Sequence, residues 1–595
     1  MEVFYFPCDE KYKNPVGGVK VNQEFRVFLA TNRGEDAFLV VTKEAQGEHT
    51  VYYDMNKCEG GYEYSMHVTS SGLYFYHFEV VVDGKRELVF SDENLHATLG
   101  GNQEWQLTAF DDIYNAPSFL ENGIFYQIMV DRFAVGGERK KTKRNMTYRA
   151  DWGGLPTYKA DEKGIVRNGD MFGGNLDGVR EKLDYLASLG VKCIYLNPIF
   201  EASSNHKYDT ADYTKIDSDF GDEISLKNLV KDADARGIKV ILDGVFSHTG
   251  SDSVYFNKEG SFDSVGAYQS KQSPYYWWYD FKSFPDEYDC WWGVKILPCV
   301  KEDNPNYNEF INGSGGVIEK WMDTGIAGWR LDVADELPDI FLDNLTRAVK
   351  GKNPDALVLG EVWEDASNKI SYGCRRRYFQ GAQLDSVTNY PFKDGIVRLI
   401  TQGDVGALSR TVHQIINNYP PKVVDNLMNT LSTHDTMRII TTLSGEELPD
   451  SKDERANFTL KDYESAKARL KVGAILQYTL PGVPCLYYGD EAGMQGCEDP
   501  FNRRCYPWNS EDNELIEFYR ALGKLRLESE LNGGKFKQTG TYPFVFEFTR
   551  GENLVIVANV GEKDYKLENK VTDLVTGKDV DSVSAMSAIV YRRKG

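Results

Sequence analysis

Arg330 and Asp332 stand two residues apart in Gly328-Trp329-Arg330-Leu331-Asp332-Val333-Ala334-Asp335-Glu336. Trp329, Leu331 and Val333 alternate there with Arg330, Asp332 and Ala334. Alternation with period two predicts a strand with one apolar face and one face carrying a guanidinium and a carboxylate. A neighbouring positive charge favours the ionised carboxylate, which is the state a carboxylate nucleophile needs. A structural ion pair at a strand end would use the same two residues, so the nonamer alone leaves both readings open. Glu361, in Gly360-Glu361-Val362-Trp363, ends the next predicted strand among apolar neighbours, where burial would raise its pKa. One ionised and one protonated carboxyl group flanking a bond are what glycoside hydrolysis requires. Adjacent strands lie about 4.8 Å apart, which brings equivalent side chains near the roughly 5–5.5 Å separation of retaining enzymes. Other predicted strands end in Asp243-Gly244-Val245-Phe246-Ser247-His248 and Ser432-Thr433-His434-Asp435. A single acid at such a place often caps the next helix. Four such ends with two histidines and an arginine point to one rim of functional groups.

A (β/α)8 barrel would supply that rim, because its active sites sit at the carboxyl ends of the strands. From about residue 122 the sequence alternates strand and helix. Strands are predicted at 124–130, 193–196, 239–243, 328–333, 357–361, near 385–390, 426–432 and 485–488. Helices are predicted at 176–189, 224–235, 316–323, 337–350, 464–479 and 513–526. Residues 249–310, rich in aromatics and proline, read as an excursion after the third strand. Residues 1–118 read as an N-terminal β-sandwich, with runs such as Phe25–Leu29 and Leu73–Val80 between turn residues. In the run 74–78 alternate rings are expected in the core, although a sugar-binding face would use the same residues. Residues 119–528 are the expected barrel and 529–595 a closing sandwich, with Ala116-Pro117 at the first junction.

With 595 residues the chain exceeds one core and should divide into three or four domains. A formal net charge of −22 argues against nucleic acid or an anionic membrane as partner. Apolar residues at 41% and charged residues at 27% are a soluble balance, and no window of 18 apolar residues predicts a span. Nine scattered cysteines without a CxxC argue against a disulfide framework or a zinc site. With no signal peptide visible in Met1–Lys13, a cytoplasmic location is expected.

The four strand-end motifs, in this order and spacing, resemble those of the α-amylase family, glycoside hydrolase family thirteen. Phe172-Gly173-Gly174-Asn175-Leu176, Asn205-His206-Lys207-Tyr208-Asp209-Thr210 and Gly482-Val483-Pro484-Cys485-Leu486-Tyr487-Tyr488-Gly489-Asp490-Glu491 are similar to further family segments. The resemblance covers about residues 120–530, and the domain layout resembles the neopullulanase, cyclomaltodextrinase and maltogenic amylase group. It implies Asp332 as nucleophile, Glu361 as acid/base and Asp435 as the residue holding sugar hydroxyls. It also implies that Arg330 orients Asp332, that His248 and His434 bond sugar hydroxyls, that Tyr208 stacks on the sugar and that Asp243 supports the site. Asp499 with Arg503 or Arg504 would lie on the non-reducing side, and Trp329 and Glu336 on the leaving-group side. A helix N-terminal acid would read the same at Glu336.

The implied substrate is an α-glucan such as maltodextrin, starch, pullulan or cyclodextrin, with hydrolysis of α-1,4 bonds. Transglycosylation and α-1,6 cleavage are the alternatives, and a non-catalytic glucan-binding barrel is the reading from another class. The N-terminal sandwich would bind sugar or form a homodimer contact. No cofactor is expected. Many family members have a calcium-binding Asn where this chain has Ser247, and the loop Gly136-Gly137-Glu138-Arg139-Lys140-Lys141-Thr142-Lys143-Arg144 is basic where the group carries a calcium loop. Calcium requires several anionic oxygen ligands. Ile296-Leu297-Pro298-Cys299-Val300 and Val333-Ala334-Asp335-Glu336 also depart from the group at positions that set bond preference.

Overall fold

The computed structural model describes all residues except 1, 45–48, 112–116, 138–142, 144–145, 161, 163–165, 167, 382 and 594–595. Residue 116 of the expected junction therefore lies outside the described residues, as do residues 138–142 and 144 of the basic loop.

Eight parallel strands form the centre: β1 (Ile124–Ile128), β2 (Val191–Leu196), β3 (Lys239–Gly244), β4 (Gly328–Leu331), β5 (Leu357–Gly360), β6 (Ser386–Val387), β7 (Met428–Thr430) and β8 (Val483–Tyr487). They pair in chain order from β1 to β6, β7 pairs with β8, and β8 with β1. A parallel bridge between Thr388 and Met428 closes β6 onto β7. This is the expected (β/α)8 barrel.

Each strand has two faces, and each face has its own environment. Tyr126, Ile194, Val240, Leu242, Trp329 and Val358 point outward into a core shared with the helices. Phe125, Cys193, Tyr195, Ile241, Leu357, Leu359 and Cys485 point inward and fill the barrel. Further along the same inward stripes stand Gln127, Asp243 and Arg330, all buried. The inside is thus apolar toward the amino end and polar toward the carboxyl end. Strand closure also limits side-chain size. A Cβ on Gly328, whose φ is +145°, would lie 2.1 Å from the carbonyl oxygen of Leu357, so β4 and β5 could not approach here with any larger residue.

Several predicted boundaries move. The helix expected over 176–189 is two, α1 (Leu176–Glu181) and α2 (Leu183–Ser188), divided at Lys182. Strand β6 is only two residues long, because Asn389 turns the chain and caps α3 (Tyr390–Gln402) by accepting from the Phe392 amide. Between β5 and β6 the chain forms a small hairpin, Ile370–Ser371 with Cys374–Arg375, where strict alternation calls for a helix. Strand β4 stops at Leu331, not at 333, because Val333 sits at φ 35°, ψ 67°. A β-branched residue in this left-handed region is strained, and the turn it makes ends the strand just after Asp332, whose N–H still donates to the Gly244 carbonyl at 3.1 Å.

Residues 249–310 cover the β3 end with short turns around buried Tyr255, Phe256, Trp278, Tyr279 and Tyr288. The chain before residue 112 folds as two antiparallel-rich sheets over a core that includes Tyr74, Tyr76, Phe78 and Trp105. After residue 535 a four-stranded sheet and a two-stranded sheet pack around Val545, Val555, Val557 and Val583. Among the described residues no helix is long and apolar enough to cross a membrane.

Candidate active site

The polar ends of β1 to β5 and the loop after β7 meet around one guanidinium. Arg330, 2% exposed, donates from Nη1 to Oδ1 of Asp243 and to Oδ1 of Asp332, each at 2.9 Å. Its Nη2 lies 2.8 Å from Oε2 of Glu361. Residues Leu331 and Gly360 are in register across β4 and β5, so Asp332 and Glu361 leave adjacent strands at the same level. The strained turn after Asp332 has a second effect, since the Val333 N–H donates to Glu361 Oε2 at 3.0 Å.

This geometry changes the simple picture of Arg330 keeping Asp332 ionised. Burial raises the pKa of Asp332 well above its ordinary value, Arg330 opposes this, and Glu361, Asp243 and Asp435 raise it further. Glu361 is raised as well, by burial first and by Asp435, again against Arg330. One guanidinium serving three carboxylates cannot keep all of them charged in a buried site. Asp332 and Glu361 therefore titrate as a pair that retains a proton to higher pH than free carboxyl groups. One carboxylate and one carboxylic acid side by side is the chemical state that follows.

Asp435 differs. Burial acts to raise it, but His434, Arg503 and Arg330 outweigh burial and hold it well below the usual carboxylate range. His434 Nε2 lies 3.0 Å from its Oδ2, and Arg503 Nη2 lies 3.6 Å from its Oδ1. Arg503 also pairs with Asp499 at 3.2 Å and donates from Nε to the His434 carbonyl at 2.9 Å. Arg504 turns away and donates to the Ala456 carbonyl at 2.5 Å. The pair reaching the site is thus Asp499 and Arg503.

Tyr208 is fixed at four points. Its hydroxyl donates to Asp243 Oδ2 at 2.8 Å, accepts from Asn197 Nδ2 at 2.9 Å and lies 2.6 Å from His434 Nε2. Its ring lies parallel to that of His434, 5.1 Å between centroids. Gln127 Nε2 lies 2.8 Å from His434 Nδ1. An amide nitrogen only donates, so Nδ1 accepts from it and Nε2 is the nitrogen that faces Asp435 and the Tyr208 hydroxyl. His248 has Nε2 at 3.0 Å from the Tyr208 carbonyl and Nδ1 at 3.1 Å from Ser247 Oγ. Burial lowers its pKa to about 4, so it is neutral at pH 7, and both of its nitrogens are engaged within the protein. Asp243, 1% exposed, also accepts from Tyr195 OH at 2.6 Å. It reaches no open space and acts on Arg330, Tyr195 and Tyr208.

Trp329 does not belong to this group. It is fully buried on the outward face of β4, packed against Phe200 and Phe246 at 6.2 and 5.7 Å. Period-two alternation places it opposite Arg330, so the expectation of a leaving-group contact is corrected. Glu336 follows β4 in a single turn at Ala334–Glu336 and accepts from Tyr372 OH at 3.1 Å. Burial raises its pKa.

Sequence reasoning missed Gln127, Asn197 and Tyr195. Gln127 had a visible signal: a lone amide in the apolar strand Ile124-Phe125-Tyr126-Gln127-Ile128. Asn197 follows β2 directly, at the level where the other strands turn polar. Among the described residues no cluster of three histidine, cysteine or carboxylate side chains could hold a metal ion. Near the basic loop, Lys143 Nζ lies 2.9 Å from Glu201 and also contacts Asp217, so an ammonium already stands among these oxygens.

The family model for the alpha amylase catalytic domain matches residues 127–524. An amylopullulanase of Thermoanaerobacter thermohydrosulfuricus is 34% identical over 582 residues, covering 88% of this chain and 38% of that protein. The chain likewise spans 44% and 30% of two further amylopullulanases, less than half the length of each. Neopullulanase 2 of Thermoactinomyces vulgaris is 34% identical over 470 residues, covering 76% of this chain and 72% of that protein. Among solved structures, the type III pullulan hydrolase from Thermococcus kodakarensis superimposes with a TM-score of 0.67 at 26% identity, covering all of both chains.

Proposed function

This chain belongs to the alpha-amylase family, and on that premise we propose that it is a retaining α-glucan hydrolase acting on α-1,4 bonds. The observation that carries the proposal is the shared guanidinium of Arg330, which holds Asp332 and Glu361 at neighbouring strand ends, where burial raises the pKa of both. In the first step Glu361 gives its proton to the glycosidic oxygen while Asp332 attacks the anomeric carbon, forming a glycosyl ester and releasing the leaving sugar. In the second step Glu361 takes a proton from water, whose oxygen attacks the same carbon and frees Asp332. As Glu361 loses its proton in the first step, Asp332 loses its charge to the new bond, so the buried site never holds both negative charges.

Asp435, kept ionised by His434 and Arg503, accepts hydrogen bonds from two sugar hydroxyls next to the cleavage point. Tyr208 offers a ring locked in place for the sugar to lie on. Asp499 and Arg503 bind the non-reducing side and Glu336 the leaving-group side. Because a sugar hydroxyl can replace water in the second step, some transfer accompanies hydrolysis.

Wild type and Asp332→Asn, incubated with maltotetraose, pullulan and β-cyclodextrin, test the proposal by chromatography of the products. Cleavage by wild type that the variant loses is the expected result. Absence of cleavage of all three substrates by wild type would refute it. A second reading, α-1,6 cleavage, draws support from the similarity to amylopullulanases, and maltotriose as the sole pullulan product would establish it.

A further inference from the structure

Trp363 stands two residues beyond Glu361 and is 43% exposed. One of its faces lies on Tyr390, 3.8 Å between centroids and 4° from parallel, so the two rings form a rigid platform with one open face. From this platform a cleft of about 370 Å³ runs past Asp394, Arg398 and Arg410 to Glu93 and Gln414. A second cleft of about 330 Å³ shares Glu93 and Gln414 with the first and extends along Gln103, Gln106 and Asn368 to Phe75. The two clefts adjoin at Glu93 and Gln414, and together they run from Trp363 along α3 and α4 (Val405–Asn418) to Phe75 of the N-terminal sandwich.

The lining of the groove suits a neutral ligand rich in hydroxyl groups. Phe75 belongs to the aromatic run of which Tyr74, Tyr76 and Phe78 are buried in the core, and it points instead to the outer face, paired in register with Gln106. The amides nearby are held in fixed orientations. Asn368 donates to Gln106 Oε1 at 2.8 Å, Gln106 to Ser367 Oγ at 2.8 Å and Asn418 to Asp365 at 2.8 Å. The charges along the first cleft have partners: Arg398 pairs with Asp404 at 2.6 Å, Arg410 lies 3.8 Å from Glu93, Asp394 pairs with Lys393 at 3.1 Å and Glu364 with Lys369. Amide walls present donors and acceptors together, as vicinal hydroxyls do. A flat ring at each end offers an apolar face of the kind a pyranose ring covers. Each cleft falls within the size range of small-molecule sites, about 300–1,000 Å³.

We propose that this groove carries the leaving-group arm of a long α-glucan from Trp363 to Phe75, making the N-terminal sandwich an extension of the substrate site. The proposal rests on the glucan reading above, and it gives that reading a preference for chain length. Because Trp363 is next but one to the proposed proton donor, the groove departs on the side where the leaving sugar is released.

The test reads binding without turnover. In Asp332→Asn protein, calorimetry compares maltotriose with a long linear maltodextrin. The long chain is expected to bind about tenfold more tightly. In Gln103→Ala/Gln414→Ala, which alters two exposed side chains, that ratio should fall toward one. Gln414→Trp, which fills the wall shared by the clefts, should do the same by a different route. No gain with chain length in the parent, or an unchanged ratio in both variants, would overturn the proposal. A wild type that cleaves glucans without the length effect would refute the groove alone. A length effect in a protein that cleaves nothing would refute the hydrolase reading and leave the groove standing.

Discussion

The ring of Tyr208 lies 7° from parallel to that of His434, and its hydroxyl lies 2.6 Å from His434 Nε2. The same hydroxyl joins Asn197 and Asp243, so one phenol ties the ends of β2, β3 and β7 together. Tyr208→Phe keeps the ring and removes these bonds. Each lost bond to a buried charged group is worth about 1.5–3 kcal/mol, and we expect kcat/KM to fall about 10–100-fold. A loss that comes wholly from a higher KM, with kcat unchanged, would instead mean that the hydroxyl only binds sugar.

The carboxylate pair predicts the pH profile. The first step needs one ionised and one protonated member, and the raised values of Asp332 and Glu361 move both limbs upward. Activity should fall as pH drops through the lower macroscopic value of the pair, above the ordinary Asp and Glu range of about 3.9–4.3. It should fall again as pH rises through the upper value, where Glu361 has no proton to give. Asp435, depressed by His434 and Arg503, stays charged throughout. An acid limb of kcat/KM at or below pH 4 would contradict this assignment.

The same shift has a consequence for stability. A carboxyl group with a folded pKa above its unfolded value stabilises the fold below the unfolded value, and this contribution is lost as pH rises through the folded value. Asp332 is raised by burial, so its charge is unfavourable at neutral pH. Asp332→Asn should abolish hydrolysis, at least about a thousandfold in kcat, and yet raise the melting temperature at pH 7 by about 1–3 °C. Near pH 4 the difference should vanish. Calorimetric scans at the two pH values check the sign.

Calcium removal should change little. Lys143 places its ammonium against Glu201 and Asp217, and Ser247 gives its hydroxyl to the neighbourhood of His248. We expect a chelator to shift the melting temperature by less than about 1 °C, since a ligand stabilises only in proportion to its binding. A larger loss, restored by added calcium, would reveal a site.

Much of this protein was legible in its sequence, for physical reasons that can be named. The period-two strands with polar residues at one end, Asp243, Arg330, Glu361, Gln127, are a local pattern, because each barrel strand carries its inward stripe in its own residues. The alternation around Arg330 already placed Trp329 on the opposite face, and burial makes that decisive. Other features have no local cause. The single guanidinium between Asp332 and Glu361 depends on the register of two strands 29 residues apart in starting position, and so does the proton the pair retains. The link of Tyr208 to His434 spans 226 positions. The groove from Trp363 to Phe75 exists only because the sandwich docks on α4, which leaves one ring of an aromatic run facing outward while its neighbours fill the core. Sequence determined which groups line each strand, because side-chain alternation is a property of the strand. Tertiary structure decided which charges share a partner, because electrostatic coupling depends on distance and burial, and neither is set by neighbours along the chain.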